Sequence, residues 1–153
     1  MDHTAHSTQT TINRLALSAT VHCLTGCAIG EILGLAIASA LGWADLPSVV
    51  LAIVLAFTFG YALTIRPLVA DGMPLRQAGR LAAASDTLSI TTMEVVDTLI
   101  LLAIPGAMAA GLLDGLFWGS LALALAIAGL VAYPVNRWLI ARGRGHALVP
   151  GHH

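Results

Sequence analysis

The sequence contains no lysine, and charged residues fill only 10% of its 153 positions. An average soluble domain carries roughly 25%. With 58% hydrophobic residues and a mean hydropathy of +0.86, the chain reads as one whose solvent is lipid. All seven basic residues are arginine, set against eight acidic ones, so no basic patch invites nucleic acid. Cysteine is scarce as well. Cys23 and Cys27 stand four apart inside an apolar stretch, which excludes a secreted disulfide framework and leaves them to be read as a local site. Also missing are a nucleophile–base constellation, a nucleotide loop and a soluble segment large enough to hold a substrate, so no enzyme is expected.

What is present is a series of long apolar stretches. The pattern predicts an all-α polytopic membrane protein with four transmembrane helices, at about 14–43, 48–68, 81–103 and 116–139, between a polar tail at 1–13 and a C-terminal tail at 143–153. The first tail has no basic residue and so lacks the positive start of a secretory signal. Ala38-Ser39-Ala40 mimics a cleavage site, but the apolar run before it is too long for a signal core. Arginines fall before the first span (Arg14), around the middle link (Arg66, Arg76, Arg80) and at the end of the fourth span (Arg137, Arg142, Arg144). The other two links have none, so the positive-inside rule places both termini in the cytoplasm of a cell (inner) membrane. Trp118, Tyr133 and Trp138 suit the interfaces.

Two patterns stand out within the spans. Gly26, Gly30 and Gly34 allow a close helix approach, inside one protomer or between protomers of a homo-oligomer. A polar helix followed by an apolar one occurs twice, with Tyr61 to Arg66 and Tyr133 to Arg137 at matching ends, which would fit two parallel hairpin repeats. The second span, almost purely apolar, reads as scaffold.

Ionisable residues inside spans need a reason. Each costs about 2.5–3.5 kcal/mol at the centre of a membrane helix, so Glu31, Asp86, Glu94 and Asp97 together represent on the order of 10 kcal/mol unless protonated, paired or set against a wet cavity. At 3.6 residues per turn, Cys23, Cys27 and Glu31 share one stripe of the first helix, with His22 on the adjoining face. Asp86, Ile90, Met93 and Asp97 form a stripe of the third, beside Thr87, Thr91, Glu94 and Thr98. Counting residues from the arginines places Cys27, Met93 and Glu94 at one depth. Thiolate, thioether and imidazole suit a soft ion, so Cys23, Cys27, His22 and Met93 are candidate ligands for copper as Cu(I), with Glu31, Asp86, Glu94 and Asp97 available for charge compensation or proton coupling. A disulfide within one helical turn is geometrically awkward. The terminal histidines read as solvated tail residues.

The stretches His22-Cys23-Leu24-Thr25-Gly26-Cys27, Asp86 to Thr91 with Met93-Glu94 and Asp97, Pro105-Gly106, and Pro134-Val135-Asn136-Arg137-Trp138 together resemble the DUF4396 family of small bacterial and archaeal membrane proteins, over about residues 15 to 146. The resemblance implies a membrane domain and a set of candidate residues rather than an activity. The functional expectation is therefore a bilayer protein, homo-oligomeric, that binds or transports a soft metal ion and works beside a metal-handling partner. Two alternatives are a metal-free proton- or cation-coupled transporter or channel, and an assembly subunit of a membrane complex. They differ in whether the cysteines, the carboxylates or a co-purifying partner matter.

Overall fold

A computed structural model describes residues 3–143, with side chains from residue 9 onward. Arg144 and the histidines at 146, 152 and 153 lie outside the described residues. Four α-helices follow one another: α1 His3–Ala40, α2 Asp45–Ala70, α3 Leu75–Ala103 and α4 Gly115–Ala141. Helix is the only option for apolar segments of this length that must satisfy their own backbone groups. α1 continues back through the polar segment expected as a tail, and α3 begins six residues before its expected start. The threonines near the chain start and Arg76 and Arg80 are all compatible with helix, so only Met73-Pro74 and its neighbours remain as link.

Three stretches are long and apolar enough to cross a membrane: Gln9–Ala40, Asp45–Ala70 and Gly115–Ala141. α3 falls short by composition, because Arg76, Arg80, Asp86, Glu94 and Asp97 all lie within it. Its acids are nevertheless inward, since Asp86, Glu94 and Asp97 are all buried.

The turns are compact. After α1, Trp43 N donates to Ala38 O at 3.0 Å and Gly42 N to Ser39 O at 3.2 Å, with Gly42 at φ +65°. The same arrangement ends α2, through Met73 N to Leu68 O and Gly72 N to Val69 O, both 3.0 Å. This is the Schellman ending, which places a glycine in the left-handed region to satisfy the last carbonyls.

α1 packs most extensively on α2, and α3 on α4; α1 with α4 and α2 with α3 close the bundle, and α1 meets α3 across its centre. The glycine stripe is spent inside the protomer. A Cβ on Gly30 would lie 2.2 Å from Ala56 N and 2.3 Å from Ala56 Cα, so the α1 and α2 backbones touch there.

The two hairpins repeat in register. α2 buries Ser48, Ala52, Ala56, Gly60, Thr64 and Leu68, one residue per turn. α4 buries Ser120, Ala124, Ala128, Ala132, Asn136 and Ile140, each 72 positions later. Along the centre, the α1 residues Thr20, Cys23, Cys27 and Glu31 correspond, 66 positions on, to Asp86, Ser89, Met93 and Asp97 of α3, and all eight are buried. Contacts follow the repeat. Thr64 of α2 bonds Asp86 of α3, and its counterpart Asn136 of α4 bonds the matching Thr20 of α1. Counterparts on α1 and α3 meet each other, so the bundle has an approximate twofold axis running between these two helices, parallel to them.

Candidate functional site

The site is the column of polar side chains on that axis. Asp86, Ser89, Met93 and Asp97 occupy successive turns of α3, spanning roughly 16 Å at 1.5 Å per residue. Opposite each turn stands a residue of α1.

At the arginine-rich end, Thr64 Oγ1 donates to Asp86 Oδ2 at 2.6 Å and Ser85 Oγ to Asp86 Oδ1 at 2.7 Å. His22 Nε2 lies 3.0 Å from Thr64 Oγ1. The imidazole tautomer sets which atom donates in that contact, and the three side chains form one hydrogen-bonded run from His22 through Thr64 to Asp86. One turn further, the Cys23 thiol lies against the Ser89 hydroxyl, without the alignment that would make Ser89 Oγ a satisfied group. Next, the Cys27 thiol lies beside the Glu94 carboxyl group, with Met93 in the same buried cluster as both cysteines.

At the far end of the column, Glu31 of α1 and Asp97 of α3 lie side by side in the lining of one cavity. They are 3% and 2% exposed. Glu31 Oε2, Glu94 Oε1 and Asp97 Oδ1 are buried and accept no hydrogen bond from the chain. These three side chains line one cavity of about 20 Å³, bounded on α2 by Ala52 and Ile53 and capped by Leu35 and Met108. A cavity of that size has room for about one water molecule. Beyond Leu35 and Met108 opens a vestibule of about 290 Å³ with Ser39, Asp45 and Ser48 in its wall.

The sequence-derived candidates are thus mostly gathered. Cys23, Cys27 and Met93 share one cluster, and Glu31, Glu94 and Asp97 share one cavity, with the Cys27–Glu94 contact linking the two. His22 and Asp86 form a separate group with α2 at the other end of the column. Among the described residues, no three His, Cys, Asp or Glu side chains are brought together so as to hold a metal ion.

Several polar participants escape sequence reasoning. Thr64 sits in the helix read as scaffold, yet it bridges His22 and Asp86. Ser85 and Ser89 join the column, and Tyr61 hydroxyl reaches Thr87 Oγ1 at 2.7 Å across the α2–α3 seam. Asn136 and Thr20, 2.9 Å apart, and Arg137 Nε with Asn13 Oδ1, 2.8 Å apart, tie α4 to α1. The available signal was the rarity of Thr64 and Asn136 in otherwise apolar helices.

Fold and site together define an all-helical protein, three of whose helices can cross a membrane, with a line of acids and thiols buried along its centre. Residues 13–145 match DUF4396, a domain of unknown function. The chain belongs to that family, which covers the whole bundle and the column. No curated protein and no solved structure matches it.

Proposed function

We propose that this protein is a proton-coupled membrane carrier, in which Glu31, Asp97 and Glu94 hold and exchange the coupling proton. All four helices cross the inner membrane in this reading, and the arginine distribution puts both termini in the cytoplasm. The observation that carries it is the Glu31–Asp97 pair, two buried acids from different helices lining one water-sized cavity. Buried acids of this kind mark proton relays in membrane proteins. Glu94 and Cys27 extend the relay inward, and Ser89, Cys23, Asp86, Thr64 and His22 continue it toward the arginine-rich end. Leu35 and Met108 stand between the cavity and the vestibule, where a gate belongs.

The test is proton movement into proteoliposomes carrying an internal pH dye, under a potassium diffusion potential. Wild-type protein acidifies the lumen, and Asp97→Asn or Glu31→Gln abolishes the signal. Equal rates for wild type, both variants and empty liposomes would sink the reading.

A second reading is supported by a specific observation. Cys23, Cys27 and Met93 form one buried cluster of soft donors, the composition that suits Cu(I). His22, one residue from Cys23, contacts Thr64 of α2. Metal analysis of protein purified after growth in copper, beside a Cys23→Ser/Cys27→Ser double variant, separates the two readings. Stoichiometric copper lost in the variant establishes the thiol site, whereas proton movement that survives in the variant assigns the work to the acids.

A further inference from the structure

The approximate twofold makes visible where the two halves differ. Glu94 corresponds to Ala28 in the first repeat, and Thr98 to Ile32, 66 positions earlier. On α2, Phe57 corresponds to Gly129 of α4, 72 positions later, and Gly129 is closely approached by the Leu24 side chain, whose terminal carbon would be 3.3 Å from an added Cβ. Ile90 of α3, the counterpart of Leu24, packs instead against Gly60 of α2 and leaves the α2–α3 seam beside Phe57 open. There a cleft of about 340 Å³ opens on the side of the bundle, walled by Ile53 and Phe57 of α2 and by Thr91, Val95 and Thr98 of α3. Glu94 forms its floor.

This cleft adjoins the acid cavity, with Ile53, Glu94 and Thr98 lining both. Glu94 is 4% exposed, and its Oε1 has no hydrogen-bond partner. The walls otherwise offer hydrocarbon, one aromatic ring and two threonines, one of which, Thr91, already donates to Thr87 O at 2.7 Å. An apolar pocket of this size with one convergent acid selects for an apolar body bearing one positive charge. Because the opening faces sideways, such a molecule reaches it from the hydrocarbon layer rather than from water.

We propose that the α2–α3 cleft is a lateral binding site for a lipophilic monocation, a quaternary ammonium or phosphonium carrying aryl or alkyl groups, with its charge on Glu94 and its body against Ile53, Phe57 and Val95. The inference deepens the carrier reading by naming the class of molecule that exchanges with the proton at Glu94. The cation replaces the proton on Glu94, which leaves through the Glu31–Asp97 pair.

The probe is radiolabelled tetraphenylphosphonium, measured by equilibrium dialysis against the detergent-purified full chain. Saturable binding is expected in wild type, lost at least tenfold in Glu94→Gln and also lost in Thr98→Trp, which fills the cleft while keeping the acid. Binding should persist within about threefold in Asp86→Asn, and it should release a proton into weakly buffered medium. Glu94→Asp, which keeps the charge, recovers part of the affinity and guards against a folding defect in the glutamine variant. Binding that is absent in wild type, or unchanged by both Glu94→Gln and Thr98→Trp, overturns the site. Saturable, Glu94-dependent binding in a protein that moves no protons into liposomes would keep the site and discard the carrier reading.

Discussion

Glu31 and Asp97 line one cavity from opposite sides of the bundle axis, each the counterpart of the other in the two hairpin repeats. Their contact is where the repeat, the burial and the chemistry coincide. Replacing one carboxyl by an amide keeps a donor for its partner, whereas truncation strands a buried acid. Asp97→Asn should therefore unfold within about 1 kcal/mol of wild type, and Asp97→Ala should lose about 1–3 kcal/mol, the cost of an unsatisfied buried polar group. Thermal unfolding in detergent reads both, and the reverse order would show that the two acids are not paired.

Thr64 holds the other end of the column. Thr64→Val removes the hydroxyl that donates to Asp86 and meets His22, with little change in volume. A loss of about 0.5–1.5 kcal/mol is expected, the usual net worth of a buried side-chain hydrogen bond. Thr64→Ser restores most of it, and equal stability of the valine and serine variants would deny the hydroxyl any role.

Gly30 is the position where α1 and α2 approach most closely. Gly30→Val has no space for its side chain against the Ala56 backbone, so the hairpin must separate, at a cost of about 1–3 kcal/mol or more. Gly79 is the control: an added Cβ there meets nothing. Gly79→Ala should leave stability unchanged or raise it by about 0.5–1 kcal/mol, the usual gain of alanine over glycine in a helix. A tolerated Gly30→Val would mean that α1 and α2 do not pack through this face.

Cys23 and Cys27 are 2% and 1% exposed. A water-soluble maleimide should leave both unlabelled in the folded protein and label both after denaturation in sodium dodecyl sulfate, as read by mass spectrometry. Rapid labelling of the native protein would place the thiols on a wet path rather than in a packed column.

Much of this was legible in the chain. Helical periodicity put Cys23, Cys27 and Glu31 on one stripe and Asp86, Met93 and Asp97 on another, and residue counting put Cys27 level with Glu94, which the structure joins. The repeat showed faintly at Tyr61 and Tyr133. Its full register, Ser48 to Leu68 against Ser120 to Ile140, was hidden because alanine at every fourth position is common in any apolar helix. His22 was grouped with the cysteines because it adjoins Cys23 in sequence. One residue turns a helix by about 100°, and that rotation brings His22 within hydrogen-bond reach of Thr64. Thr64 itself gave little warning, since a threonine in a membrane helix more often bonds its own backbone, as Thr58 does with Val54 O at 2.7 Å.

The unequal lengths of Glu31 and Asp97 matter beyond packing. Two identical acids facing across a true dyad would give a shared proton two equivalent resting places, and nothing would distinguish arrival from departure. One extra methylene on the α1 side removes that degeneracy, so the proton on Glu31 and the proton on Asp97 are different states of the molecule. A hairpin duplicated within one chain can carry that inequality, which a pair of identical hairpins cannot.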